Sequence, residues 1–289
     1  MSDYILRLTI ENSAVAFIAL TTETVNEAAR IHRSSPVVTA AMGRLITAAA
    51  MMGAQLKNDS DLLTLSIKSD GPVGGIVATA DKNSNVKAYP FVSDVDLPLN
   101  SNGKLDVAAC VGKGNLNVVM DLGLKEPYVG TVKLVSGEIG DDLAYYFAVS
   151  EQIPSAVCLG VLVDRDYSVA QAGGFLMQML PGASDELITR IEEKLSGFDA
   201  ITSFYESGKT PYDLAEYFFE GLNYTVTEKT DVNFFCNCSR EKVEKALISL
   251  GREELAKILN EDGKATLHCH FCRKDYSFDE GDLKRILES

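Results

Sequence analysis

The sequence predicts an α+β fold: a strand-rich N-terminal core with flanking and buried helices, then a helical linker and a small cysteine-rich C-terminal domain. Up to Pro181, short apolar or alternating stretches are separated by turn residues, a pattern typical of strands. Beyond Pro181, apolar residues recur at helical spacing. Four of the 6 cysteines lie near the C-terminus. We therefore expect a core domain at 1–181, a linker at 182–230 and a terminal domain at 231–289.

The composition is that of an acidic globular protein. Of the 289 residues, 46% are hydrophobic and 24% are charged, which is enough apolar sequence to bury a sizeable core. The 27 Lys and Arg residues stand against 41 Asp and Glu residues, so the net charge is -14. Such a chain repels polyanions at long range, which argues against general binding of nucleic acid or an anionic membrane.

The N-terminus does not have the pattern of an export signal. Asp3 and Arg7 stand where a secretory signal needs an apolar run. We therefore expect a cytoplasmic protein. In that reducing compartment cysteines serve as thiols, metal ligands or redox groups rather than as a permanent disulfide framework.

The core begins with two strands and a helix. Residues 4–10 nearly alternate between apolar and polar, and a second apolar stretch covers 15–20. Ser35 and Pro36 then predict a helix start, with a serine cap and a proline in the first turn. The stretch 36–56 is about one membrane thickness long, but it is Ala-rich and contains Arg44, so we interpret it as a buried helix.

Later core strands are separated by turn residues. Strands are predicted at 62–68, 75–80, 86–91 and 131–135. Residues 156–163, the turn Asp164-Arg165-Asp166 and the stretch from Ser168 onward predict a buried hairpin.

The segment 182–230 predicts two amphipathic helices. Leu187, Ile191 and Leu195 share one helix face, and a second helix begins near Thr210 and ends near Gly221. The segment holds 10 acidic and 4 basic residues. Because short amphipathic helices are marginal alone, we expect this linker to fold only against its neighbours.

The C-terminal cysteines form two close pairs. Cys236 and Cys238 make a C-x-C motif, and Cys269 and Cys272 make a C-x-x-C motif. Two such pairs supply the four thiolates of a closed tetrahedral zinc site. We therefore interpret 231–289 as a zinc-binding domain with one Zn²⁺ held by these four residues. Four buried thiols, or a pair of small disulfides, are the alternatives.

Because this domain is small, its folding depends mainly on the metal. Below about 70–80 residues a hydrophobic core rarely supplies more than ~3–5 kcal/mol, whereas structural zinc contributes ~10–16 kcal/mol of apparent folding free energy. An oxidised thiolate is no longer a normal zinc ligand, and vicinal cysteines can close into Cys236–Cys238 and Cys269–Cys272. The site is thus a potential redox switch, although a zinc ribbon that only stabilises the C-terminus has the same spacing.

Other candidate residues are assigned no chemistry. Cys110 and Cys158 lie in apolar stretches and are interpreted as buried, inert thiols. His268 and His270 flank Cys269, but four thiolates already complete a tetrahedron, so their role stays open. The sequence contains no zinc-protease, Walker A, dinucleotide-binding or nucleophile-elbow motif, so we expect no enzymatic activity.

With these cysteine motifs, the chain resembles the bacterial redox-regulated holdase family called the 33 kDa chaperonin, or heat-shock protein 33. Similar stretches extend from end to end of the sequence. They are TETVNEA at 22–28, GKLDV at 103–107, SGEIGDD at 136–142, SEQIP at 150–154, AGGF at 172–175 and PG at 181–182.

The resemblance implies an ATP-independent molecular chaperone of the stress response that is inactive when reduced and zinc-bound. It implies that Cys236, Cys238, Cys269 and Cys272 are both metal ligands and redox-active centres, whose oxidation to disulfides releases zinc and unfolds the tail. Apolar linker surface then binds unfolding client proteins and prevents their aggregation, and the active form is a homodimer. The candidate client-binding residues are Leu187, Ile188, Ile191, Leu195, Leu214, Tyr217 and Phe218, for which ordinary helix packing is an equal explanation.

Two other functions stay open. A zinc-ribbon nucleic-acid binder needs a basic face, whereas 231–289 holds 12 acidic and 10 basic residues. A thiol–disulfide oxidoreductase uses a C-x-x-C motif, but that motif belongs near the start of a βαβ domain rather than beside a second cysteine pair at a C-terminus.

Overall fold

The computed structural model describes residues 2–288. The chain forms two compact units, Met1–Phe234 and Phe235–Ser289, which we call the first and second unit. Within the described residues there are 13 strands and 10 α-helices. This mixed, strand-rich architecture agrees with the predicted α+β class.

The first unit contains two β-sheets. Sheet 1 consists of β1 (Tyr4–Ile10), β2 (Ala14–Leu20), β8 (Ser155–Val163), β9 (Val169–Met179) and β10 (Tyr224–Asp231). Sheet 2 consists of β3 (Leu62–Ser69), β4 (Gly75–Ala80), β5 (Asn85–Pro90), β6 (Gly114–Asp121), β7 (Tyr128–Lys133) and β11 (Asn233–Phe234). The spatial orders are β10-β1-β2-β9-β8 and β11-β5-β4-β3-β6-β7. The hairpin predicted around residues 164–166 is confirmed as β8 and β9.

Helices complete both units. Those of the first unit are α1 (Thr22–His32), α2 (Pro36–Gly53), α3 (Val107–Val111), α4 (Gly140–Tyr146), a π-helical turn (Phe147–Glu151), α5 (Asp185–Ser196), α6 (Ile201–Glu206) and α7 (Pro211–Phe219). The second unit contains α8 (Arg240–Ile248), α9 (Arg252–Glu261), β12 (Ala265–His268), β13 (Asp275–Phe278) and α10 (Glu280–Glu288). β12 and β13 form an antiparallel hairpin.

Helix α2 lies between the two sheets and confirms the predicted buried helix. It is long and apolar enough to cross a membrane by length and composition, but 89% of it is buried inside the protein. Its start differs in detail from the prediction. Pro36 occupies the first turn, but the Ser35 side chain does not cap the helix. The Ser35 hydroxyl instead accepts a hydrogen bond from the Val95 amide at 3.1 Å.

Sheet 1 is covered on both faces because its side chains alternate between two cores. Ile5, Phe17 and Leu176 belong to the core shared with α2 and sheet 2. Leu8 and Phe175 belong to a second core, on the opposite face, which is completed by residues of α5, α6 and α7. The apolar faces of the linker helices are therefore buried against sheet 1.

The segment 182–230 lies within the first unit. The two helices predicted there are present as α5 and α7, and the Thr210 hydroxyl caps α7 by accepting from the Asp213 amide. Helix α6 and strand β10 were not expected. β10 pairs with β1 along its length, from Tyr4 opposite Asp231 to Ile10 opposite Tyr224. Whether 1–181, 182–230 and 231–289 fold as separate domains stays a prediction.

Candidate metal centre

The first cysteine pair lies at the start of the second unit, directly before α8. Ser239, the next residue after Cys238, caps this helix by accepting a hydrogen bond from the Lys242 amide at 3.3 Å. This is the serine cap that the sequence favours at a helix N-terminus. The cap fixes the direction in which the chain leaves Cys238.

The second cysteine pair occupies the turn between β12 and β13. The Cys269 amide donates to the Lys274 carbonyl at 2.9 Å, and the Arg273 amide donates to the Cys269 carbonyl at 2.8 Å. Arg273 has a φ of 60°, in the left-handed region that tight turns use. These bonds close a turn that holds Cys269 and Cys272 on one side of the hairpin.

The two pairs converge on one point. The sulfur of Cys236 lies 3.6 Å from that of Cys269, and the sulfur of Cys238 lies 3.4 Å from that of Cys272. All four sulfur atoms lie within 4.8 Å of one another. A tetrahedron with metal–sulfur bonds of ~2.3 Å has edges of about 3.8 Å, so the arrangement fits a four-coordinate metal such as zinc. We call these four residues the four-cysteine site.

The site favours thiolate at one cysteine in particular. Burial raises the pKa of the Cys238 thiol, but hydrogen bonds from Tyr276 and the neighbouring thiols outweigh it and lower that pKa to about 7. Burial raises the pKa of Cys236 and of Cys272. Cys238 therefore loses its proton before Cys236 and Cys272, and a bound cation would favour the thiolate form of those two residues as well.

Tyr276 supports the site from β13. Its hydroxyl donates to the Cys238 sulfur at 3.1 Å, and its ring is 6% exposed within the small core of the second unit. Sequence analysis assigned Tyr276 no role in the site. Its position four residues beyond Cys272, on a strand that leads away from the ligands, is the signal that could have indicated a supporting role.

The flanking histidines are not part of the four-cysteine site. In the described chain the group of potential ligands contains four cysteines and no histidine. His268 pairs through its Nδ1 with the Asp275 carboxylate across the hairpin, and its side chain is 64% exposed. This pair joins β12 to β13 at the base of the turn.

The remaining cysteines lie in the first unit. Cys110 is buried in the core between the sheets, and Cys158 is half-buried on β8 against the linker helices. Burial raises the pKa of each thiol to about 11. Both thiols are therefore protonated and poorly reactive at neutral pH.

The candidate client-binding residues lie on α5 and α7. Four of them, Leu187, Ile191, Leu214 and Phe218, are buried in the core between these helices and sheet 1. The other three, Ile188, Leu195 and Tyr217, are half-buried. Their role in client binding stays a prediction.

We predict that Tyr276→Phe weakens zinc binding and shifts its pH dependence upward. Loss of the hydroxyl removes a hydrogen bond that stabilises the Cys238 thiolate, so the pKa of Cys238 rises above about 7 and a proton competes with the metal at higher pH. We expect about tenfold lower affinity at neutral pH, as is typical when a supporting residue is lost. Competition with a chromogenic chelator across a pH series measures both effects.

Tyr224→Phe is the matched control, because the Tyr224 hydroxyl bonds Glu216 in the first unit. Equal zinc affinity and equal pH profiles for Tyr276→Phe and the wild type would show that the hydroxyl does not support the site.

Comparison with known proteins gives the family of the chain. The model of the Hsp33 protein family matches residues 3–279. The 33 kDa chaperonin of Ruminiclostridium cellulolyticum is 48% identical over 100% of this chain and 99% of its own length. That of Acetivibrio thermocellus is 47% identical over 100% of this chain and 98% of its own length. The crystal structure of the Thermotoga maritima 33 kDa chaperonin, described as a heat shock protein 33 homologue, has a TM-score of 0.90 at 37% identity and covers 99% of this chain and 98% of that one. The chain therefore belongs to the Hsp33 family.

Proposed function

We propose that the protein is a redox-regulated, ATP-independent holdase, inactive when reduced and zinc-bound, and activated by oxidation with disulfide formation and zinc release. The observation that carries the proposal is the convergence of four thiols within 4.8 Å in a small unit. Membership of a family whose relatives are named 33 kDa chaperonin supports the chaperone activity.

The second unit has little else to hold it together. Among its described residues, the core has six buried apolar side chains. They are Leu247, Leu255, Tyr276, Phe278, Leu283 and Ile286. Such a core supplies a few kcal/mol at most, whereas zinc, when bound to four thiolates, supplies ~10–16 kcal/mol. Whether this unit stays folded therefore depends on whether the four sulfurs are thiolates that bind zinc or have been oxidised.

Oxidation converts the four cysteine ligands into disulfides, which no longer bind zinc. Each disulfide forms when two thiols lose two protons and two electrons, and hydrogen peroxide accepts them and becomes two water molecules. The close sulfur contacts join the two pairs, Cys236 with Cys269 and Cys238 with Cys272. Vicinal disulfides, Cys236–Cys238 and Cys269–Cys272, replace these contacts by bonds within each pair. The start of the second unit then separates from its hairpin.

The linker helices supply the client-binding surface. Their candidate residues pack on sheet 1, so a client reaches them only when the helices leave the sheet. When the helices leave, the side chains of sheet 1 that packed against them also become exposed, including Leu6, Leu8 and Phe175. A contiguous apolar surface of this kind binds unfolding chains. In this proposal the active form is a homodimer that binds its clients without turnover.

The proposal predicts that peroxide converts an inactive protein into one that suppresses aggregation. We expect light scattering from a thermally denaturing client to be unchanged by the reduced, zinc-loaded protein and strongly reduced by the oxidised protein at stoichiometric concentration, with zinc release in parallel. A double variant, Cys110→Ala with Cys158→Ala, is the control and should respond like the wild type, because neither thiol belongs to the four-cysteine site. Equal suppression by both forms, or zinc release without activation, would refute the switch.

Gly160 lies where α6 docks on sheet 1. A Cβ atom at Gly160 would lie 2.2 Å from Ile201 Cγ2 and 2.9 Å from Thr202 Cγ2, both on α6. Gly160→Ala therefore pushes this helix off the sheet, at a cost of about 1–3 kcal/mol. We expect partial suppression of aggregation by the reduced, zinc-loaded variant, measured by the same light-scattering assay.

Gly174→Ala is the matched control, because its Cβ would meet Thr47 and Met51 of α2, on the opposite face of sheet 1. It should lower the stability of the first unit without activating the reduced protein. If both variants are equally active when reduced, general destabilisation, rather than release of the linker helices, is the cause.

A further inference from the structure

A cavity of about 340 Å³ lies in the first unit, beside the C-terminal end of α2 and the π-helical turn. We call it the side cavity. Its volume lies within the range of small-molecule sites. Its apolar wall is formed by Met52, Leu56, Leu63, Met120, Phe147 and Ile153.

A largely buried amide lines the side cavity without a protein partner. Gln178 on β9 is 9% exposed, and no residue in 2–288 is hydrogen-bonded to its side chain. Leu176, two residues earlier on the same face of the strand, is an ordinary core residue. The amide atoms of Gln178 are not fully buried. They border the cavity and can hydrogen-bond a ligand there.

A carboxylate beside the cavity is held in one orientation. The hydroxyls of Tyr128 and Tyr146 both donate to Oε1 of Glu151, the former at 2.9 Å. Burial, with the adjacent carboxylate, raises the pKa of Tyr146, so this hydroxyl remains a donor. Within the described chain no residue bonds Oε2 of Glu151. This oxygen is therefore available to accept a hydrogen bond from a ligand.

The backbone around Glu151 is unusual. Residues Phe147–Glu151 form a π-helical turn, which ends at Gln152 with a φ of 58°. π-Helical turns are less stable than α-helix and occur often at functional sites. The turn contributes both Phe147 and Glu151 to the cavity. One irregular segment thus supplies part of the apolar wall and the carboxylate together.

The residues that line the side cavity favour a ligand with a positively charged head group. Glu151 and Asp61 both line the side cavity, and the one basic side chain among its lining residues, Lys57, belongs to an exposed residue. The Asp61 carboxylate accepts hydrogen bonds from the backbone amides of Lys57 and Asn58. Glu151 therefore carries the carboxylate oxygen that is available to a ligand. Gln178 offers a carbonyl oxygen as a second acceptor. An ammonium group donates three hydrogen bonds and accepts none.

We propose that the side cavity binds a small alkylammonium ligand, with its alkyl chain against the apolar wall and its ammonium group between Glu151 and Gln178. The site lies in the first unit, and this inference does not depend on the redox switch. A carboxylate head is disfavoured by Glu151 and Asp61, and a hydroxyl head lacks the charge that complements them.

Hexylamine is the probe. The full-length, reduced, zinc-loaded protein carrying methyl-labelled methionine is titrated with hexylamine and followed by NMR. We expect saturable shifts of the Met52 and Met120 methyls, while those of Met42 and Met177, which do not line the cavity, stay unchanged. Gln178→Leu and Glu151→Gln should each weaken binding about tenfold, which is the effect of losing one hydrogen bond to a charged group.

Gln171→Leu, the same change on the same strand outside the cavity, is the matched control and should bind like the wild type. Hexanol and hexanoate, titrated into the wild type, test the head group without any variant and should bind at least about tenfold more weakly. The proposal is overturned if Met52 and Met120 do not respond, if hexanol or hexanoate binds as tightly as hexylamine, or if neither cavity variant weakens binding.

Discussion

The second unit depends on one constraint: four sulfur atoms from two distant parts of the chain lie within 4.8 Å of one another. Ionised sulfurs at this separation repel one another, and burial raises the pKa of Cys236 and Cys272. A divalent cation removes both difficulties, because it supplies the opposite charge and displaces the protons. In the proposed function the cysteines then join the start of α8 to the hairpin after α9, a link that the small apolar core does not maintain alone.

The two faces of sheet 1 are covered by different kinds of structure. The inner face packs on the buried helix α2 and sheet 2, whereas the outer face is covered by short helices, of which α6 has only 6 residues. Short helices owe their stability to the surface on which they pack. In the proposed function the same apolar residues, such as Leu214 and Phe218, are packing residues in the inactive state and binding residues in the active one. The amphipathic pattern of the sequence cannot distinguish these roles, because both need the same side chains.

The sequence predicted those features that depend on local pattern. The buried helix α2 and the β8–β9 hairpin follow from nearby residues, and the four-cysteine site follows from the spacing within two close cysteine pairs. Strand β10 was missed because its sequence, YTVTEKTD, is largely polar and its pairing partner β1 is more than 200 positions away. The role of Tyr276 and the π-helical turn at Phe147–Glu151 depend on tertiary neighbours, which no local periodicity records.

The central claim is that a cation in the four-cysteine site keeps the second unit folded. Hydrogen exchange measured by mass spectrometry on the reduced, full-length protein, before and after removal of zinc by a chelator, tests it most directly. We expect amides in 235–289 to lose their protection, while those of α2 and the central strands of sheet 1 keep theirs. Unchanged protection throughout 235–289 in protein shown to be metal-free would contradict it.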